Sequence, residues 1–249
     1  MMRKALTATP IVLAIVVVAA RPALAAGPAS VLPSGTSVAT ALSQSPQLSL
    51  LAVLVLLAAL PGIVLLMTSF TRIVVVLSLV RTALGLNQVP PNQVLVGLAI
   101  FLTLFAMAPT LAQVESHAVT PYLSGRITAS QAATAAQTPL RTFLAHGTRS
   151  SDLQMFYSLE GKTEPAKISR VPLTTLVPAY TISQLTIAFE IGVLLFIPFV
   201  IIDFIVASVL MALGMMMVPP TLISLPIKLL LFVLMNGWAL VVQSALVVR

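Results

Sequence analysis

Four stretches of this chain, 48–67, 94–111, 185–213 and 222–248, are apolar over the length of a membrane segment, and most of them are interrupted. Pro61-Gly62 breaks into the first, Pro198 the third and Pro226 the fourth. Glu190, Asp203 and Lys228 also lie inside apolar sequence. An apolar run of about 20 residues crosses a bilayer as a helix. A proline or charge inside it frees groups that protein or water must satisfy. The pattern therefore predicts an all-α membrane protein whose helices pack on other protein instead of standing alone in lipid. Composition agrees: 59% of residues are hydrophobic and 8% charged, against about a quarter charged in soluble domains.

The N-terminus reads as an export signal. Arg3 and Lys4 precede the apolar run 11–20, and Arg21-Pro22 leads to Ala23-Leu24-Ala25. A charged n-region, a short h-region and a small-x-small box predict cleavage between Ala25 and Ala26; the run is too short to span. Cleavage lowers the formal net charge from +7 to +4 and places the new N-terminus outside the cytoplasm. Residues 26–47, rich in Pro, Ser, Gly, Thr and Ala, read as a flexible linker.

With that orientation, the segment "TSFTRIVVVLSLVRTALGLNQVPPNQ" faces the cytoplasm. Its run 73–79 is too short to span and reads as a helix packed on its neighbours. Arg72 and Arg81 flank it without acidic partners, as the positive-inside rule requires. Residues 48–111 form a first helical hairpin region. Residues 112–183 carry six basic and four acidic residues and read as a small helical domain inserted between the second and third segments, on the periplasmic side. Within it, "ITASQAATAAQTPLRTFLAHG" predicts a helix broken near Pro139 and stopped at Gly147, and "DLQMFYSL" a helix with Leu153, Phe156, Tyr157 and Leu159 on one face. Residues 184–249 form a second hairpin, joined by "GMMMVPP".

About Met217, Asp203 lies 14 residues before and Lys228 11 after. In antiparallel helices they differ in height by about 4.5 Å. Two readings stand: an ion pair across the hairpin, or a lysine snorkelling to the interface. Glu190 reads as a solvated interfacial carboxylate, with a channel-facing residue as the alternative. Met215, Met216 and Met217 read, by themselves, as apolar filling at a turn.

Several classes are excluded or disfavoured. No cysteine is present, so disulfides and thiolate metal sites are absent. His117 and His146 stand far apart, which argues against a metal site. No phosphate loop or aromatic-basic patch argues for nucleic acid. No nucleophile–base set or paired carboxylates indicates an enzyme. No cofactor is implied.

The stretches "MTSFTRIVVVLSLVRTALG", "PPNQVLVGLAIFLTLF", "PLRTFLAHGTRSSDLQMF" and "IPFVIIDFIVASVLMALGMMMVPPTLISLPIKLLLFVLMNGW" resemble the FliP family of type III secretion export-gate subunits, whose virulence-system relative is SctR. The resemblance runs from about Leu48 to the C-terminus. It implies a homo-oligomer, a pentamer, assembled with FliQ and FliR and with export-apparatus and rod proteins in the inner membrane at the flagellar basal body. Unfolded flagellar subunits pass through its central pore. It implies that the four segments are bent hairpins packed on other subunits, with membrane lipid around them. It also implies that Met215, Met216 and Met217 form a gasket closing the pore, and that Glu190, Arg72 and Arg81 are candidate pore or interface residues. Asp203 and Lys228 match the family pattern. Two positions depart from it: Ser-Gln-Leu-Thr at 183–186 replaces the frequent Ser-Glu-Leu-Lys, and Asn236-Gly237-Trp238 replaces Asp-Gly-Trp. The leader favours the flagellar branch over an injectisome gate. A small-solute transporter is the rival from another class, and the segment pattern shows no internal repeat to support it.

Overall fold

The computed structural model describes residues 46–86, 88–161, 165, 171–215 and 217–246. The expected leader, its cleavage point at Ala25-Ala26, residues 26–45 of the linker and Met216 lie outside the described residues. The described regular elements are all helical: α1 Pro46–Leu66, α2 Phe70–Ala83, α3 Asn92–Val114, a π-helical turn Glu115–Val119, α4 Thr120–Leu123, α5 Ala129–His146, α6 Ser150–Leu159, α7 Leu173–Ala212, α8 Pro220–Leu234 and α9 Gly237–Leu246.

The short helix α2 is the centre of the molecule. Ile73, Val76, Leu77 and Val80 recur at helical spacing and are each at most 2% exposed. Their faces are covered by α7, α3 and α9. The α2–α7 contact is close because Gly192 has no side chain; a Cβ there would lie 2.2 Å from Leu79 Cδ1. A helix surrounded on several sides is apolar almost all round, which is why 73–79 lacks a polar face.

At about 1.5 Å per residue, the 40-residue α7 is about 60 Å long, twice the roughly 30 Å hydrocarbon core of a bilayer. Its first turns pack in a layer with α5 and α6, around Leu144, Leu153, Tyr157, Leu176 and Tyr180. The rest continues into the membrane-grade apolar run. Neither end of 112–183 is therefore a break in the chain: one helical stretch runs from Asn92 to Leu123 across residue 112, and α7 begins at Leu173. Asn92–Leu123 and Leu173–Ala212 are long and apolar enough to cross a membrane, and two bent pairs raise the count to as many as four.

The bends do not fall at the prolines. Pro61, Pro109, Pro139, Pro198 and Pro226 all lie inside uninterrupted helices. The expected break near Pro139 is absent; the ring is buried in the α5 layer, and that packing offsets the lost backbone bond. The sharp turns, 70° between α1 and α2 and 69° between α8 and α9, come at short non-proline junctions. The second divides the expected fourth segment. Asn236 adopts a left-handed φ of 52° there, a conformation asparagine accepts more readily than most residues. In α6, Leu153 and Tyr157 are buried as expected, but Leu159, the last residue of the helix, is 75% exposed.

Candidate functional site

The methionine turn is fixed by what flanks it. α7 ends in a paired set of backbone bonds, Gly214 N–H to Met211 O at 3.0 Å and Met215 N–H to Leu210 O at 2.9 Å. Gly214 takes the left-handed φ of 73° that this stop demands. Pro220 opens α8 at its first position, where its missing N–H costs nothing. Glycine and proline leave a short turn with no room for a polar loop. Met217 at its tip is 97% exposed and Met215 is 45% exposed.

Below the turn, Lys228 Nζ lies 2.5 Å from Asp203 Oδ2, across the α7–α8 hairpin. The ammonium is 5% exposed and does not reach the interface alone. It also donates to Ala83 O, 3.3 Å away, at the C-terminus of α2, where the helix dipole favours a cation. Asp203 Oδ1 is buried without a hydrogen-bond partner among the described residues.

Arg81 belongs to this same end. Its Nη1 donates to Asn92 Oδ1 at 2.6 Å and to Pro90 O at 3.3 Å, closing the turn into α3. Arg72 does not join it. Nine residues earlier on α2, about 13 Å along the axis, it is 1% exposed and lines a cavity with Tyr180 and Gln184. The sequence showed the two arginines as flanks of a short run; the helix between them carries them to opposite ends.

Glu190 also has a partner. Its Oε1 accepts from Arg149 Nη1 at 2.8 Å, although the carboxylate side chain remains 62% exposed. Arg149 is the first member of a cluster joining the α5–α6 corner to α7. Its N–H donates to Ser183 Oγ at 3.0 Å, and Ser183 Oγ donates to Asp152 Oδ2 at 2.6 Å. Gln184 Nε2 donates to Gly147 O at 2.8 Å. Arg149 and Asp152 stand at i, i+3 spacing, 3.8 Å apart, a local signal for that pair. Their partners on α7 are 31 to 41 residues away, beyond any local periodicity, and there the departure at Gln184 was the signal. The amide uses its N–H against a carbonyl, which an ionised glutamate could not do.

No group of three or more His, Asp or Glu side chains capable of holding a metal occurs among the described residues. Instead the arrangement combines charges inside apolar helices, an exposed methionine tip and wide apolar faces, including Phe101, Leu194 and Phe204, each at least 69% exposed. Such a chain is an all-α membrane protein built to be covered by lipid or by other protein.

It belongs to the FliP family, whose model matches residues 53–245. The flagellar biosynthetic protein FliP of Bacillus subtilis (strain 168) is 51% identical over 202 residues, covering 81% of this chain and 91% of that protein. The protein of the same name from Pectobacterium carotovorum subsp. carotovorum is 50% identical, covering 78% and 75%. That of Aquifex aeolicus (strain VF5) is 45% identical, covering 78% and 82%.

Proposed function

We propose that this chain is a subunit of the flagellar protein-export apparatus, embedded in the bacterial inner membrane at the flagellar basal body. The observation that carries this is identity of about one half, over about four fifths of the chain, to proteins of flagellar biosynthesis. The injectisome alternative has no such support among the relatives described.

The finer reading is an export gate. Several copies, with FliQ and FliR as the resemblance implies, surround a pore for unfolded flagellar proteins. The turn at Met215–Met217 closes it. Supporting this is a flexible apolar side chain, Met217, held almost fully exposed at the tip of a hairpin whose ends are rigidly capped. Methionine adapts to varied surfaces and seals without a fixed shape. On this reading the Arg81 end and the methionine turn face the cytoplasm, and residues 112–183 the periplasm. Arg81 and Lys228 at the turn end fit a positive inner side.

The test is secretion. A strain lacking this chain is expected to release neither flagellin nor hook protein into the culture supernatant and to lose motility, with a plasmid copy restoring all three. Normal release of flagellin and hook protein would overturn the assignment.

A further inference from the structure

Three apolar runs end beside one cavity. The run on α3 stops at Leu111, the run on α7 starts at Leu185, and the run on α2 starts at Ile73. Between these boundaries and α5 lies a cavity of about 340 Å³. At about 30 Å³ per water it has room for a polar headgroup, well beyond a single small ion. Thr110 and Gln113 on α3, Gln184 on α7 and Arg72 on α2, at the ends of those runs, meet on its wall, as polar groups do where a bilayer's hydrocarbon gives way to headgroups.

The cavity wall is suited to an anion. Arg72 lines it, and Thr110, Gln113, Thr142 and His146 add hydrogen-bonding groups. No carboxylate lines it among the described residues. A cleft of one charge sign with apolar walls concentrates counter-ions, and guanidinium geometry matches phosphate oxygens. The cavity also opens onto a path for hydrocarbon. Phe101, Phe105 and Pro109 recur at i, i+4 and i+8 on α3, hence on one face. The two phenylalanines are 73% and 72% exposed, and Pro109 lines the cavity.

We propose that this cavity seats the headgroup of an anionic phospholipid, its phosphate on Arg72 and an acyl chain along the Phe101–Phe105 stripe. The full chain, extracted with its native assembly in a mild detergent, would be titrated with phosphatidylglycerol and with phosphatidylcholine and read by native mass spectrometry. Phosphatidylglycerol adducts are expected to exceed phosphatidylcholine adducts several-fold, and to fall to the phosphatidylcholine level in Arg72→Gln. Because Arg72 is buried, Ala106→Phe is the second variant. It fills the cavity, keeps the arginine and is expected to lose the preference with its elution volume unchanged. Equal retention of the two lipids, or a preference surviving in a well-folded Ala106→Phe, would overturn the proposal. Binding of inorganic phosphate alone, with displacement of phosphatidylglycerol by excess phosphate, would assign the site to a free anion and overturn the lipid reading.

Discussion

The two ends of α7 are stabilised differently. Toward its N-terminus the helix is held by polar groups of the same chain: Ser183 between Arg149 and Asp152, Gln184 on Gly147, and Tyr180 beside Phe143 with ring centroids 5.9 Å apart. Ser183 and Gln184 are at most 2% exposed. Toward its C-terminus one ion pair, Asp203–Lys228, ties α7 to α8, and the surrounding surface is apolar and open. Phe204 is 69%, Val209 53% and Met217 97% exposed. Soluble monomers rarely leave large contiguous apolar patches uncovered. One end is clamped by polar contacts within the same chain; the other leaves its apolar surface open. The fold thus separates a polar-clamped anchor from an open apolar surface that lipid or protein can cover.

The largest test of this contrast is Lys228→Met. It strands Asp203 beside apolar helices, and breaking a buried pair costs about 3–5 kcal/mol. With the Asp203 side chain 39% exposed, water softens the penalty, and a loss of about 3 kcal/mol is expected. Chain abundance in membrane fractions should fall sharply, and adding Asp203→Asn should recover much of it. Additive effects of the two changes in a double-mutant cycle would show that the contact contributes nothing.

Replacing Met215, Met216 and Met217 together with alanine addresses the open end directly. Chain level is expected to hold, because Met215 and Met217 are exposed and exposed side chains contribute little to folding. Membranes carrying the assembled variant should become leaky to ions in a conductance or dye-flux assay. Unchanged permeability with intact assembly would count against the gasket.

At the clamped end, Gln184→Glu restores the residue frequent in the family. Here it sets a carboxylate against the Gly147 carbonyl; losing that buried hydrogen bond costs about 1–3 kcal/mol, which the Arg72 guanidinium on the same cavity wall offsets only in part. A lower melting temperature in detergent is expected at neutral pH. Acidification should narrow the gap, since a protonated glutamate can donate as the amide does.

Much of the architecture was legible in the residues. Apolar run lengths are local properties, and α3, the C-terminal two thirds of α7, and the hairpin joining it to α8 follow from them. The helicity across the prolines was not legible: Pro139 is buried, a tertiary effect that local rules cannot see, while Pro61, Pro109 and Pro226 are exposed prolines that their helices carry without a break. The same holds for the bend at Asn236, where one backbone dihedral divides an apparently continuous run. Of the candidate site, the height match of Asp203 and Lys228 was readable by counting. The surroundings of Arg72 were not readable, because the α3, α5 and α7 residues that line its cavity are 34 or more positions away in sequence. Of the Arg149 cluster only the i, i+3 spacing of Arg149 and Asp152 was readable; the partners on α7 were not.

The smallest expected effect distinguishes what holds the clamped end. Glu190→Gln removes the Arg149–Glu190 pair, whose side chains are 39% and 62% exposed. Pairs this exposed contribute about 0–1 kcal/mol and are screened by salt. The melting temperature should shift only slightly in low salt, and the shift should disappear in high salt. A loss as large as that of Gln184→Glu, persisting in high salt, would mean that the ion pair and not the buried hydrogen bonds clamps the α5–α6 corner to α7. The anchor would then depend on its ionic surroundings, and the contrast with the open end would narrow.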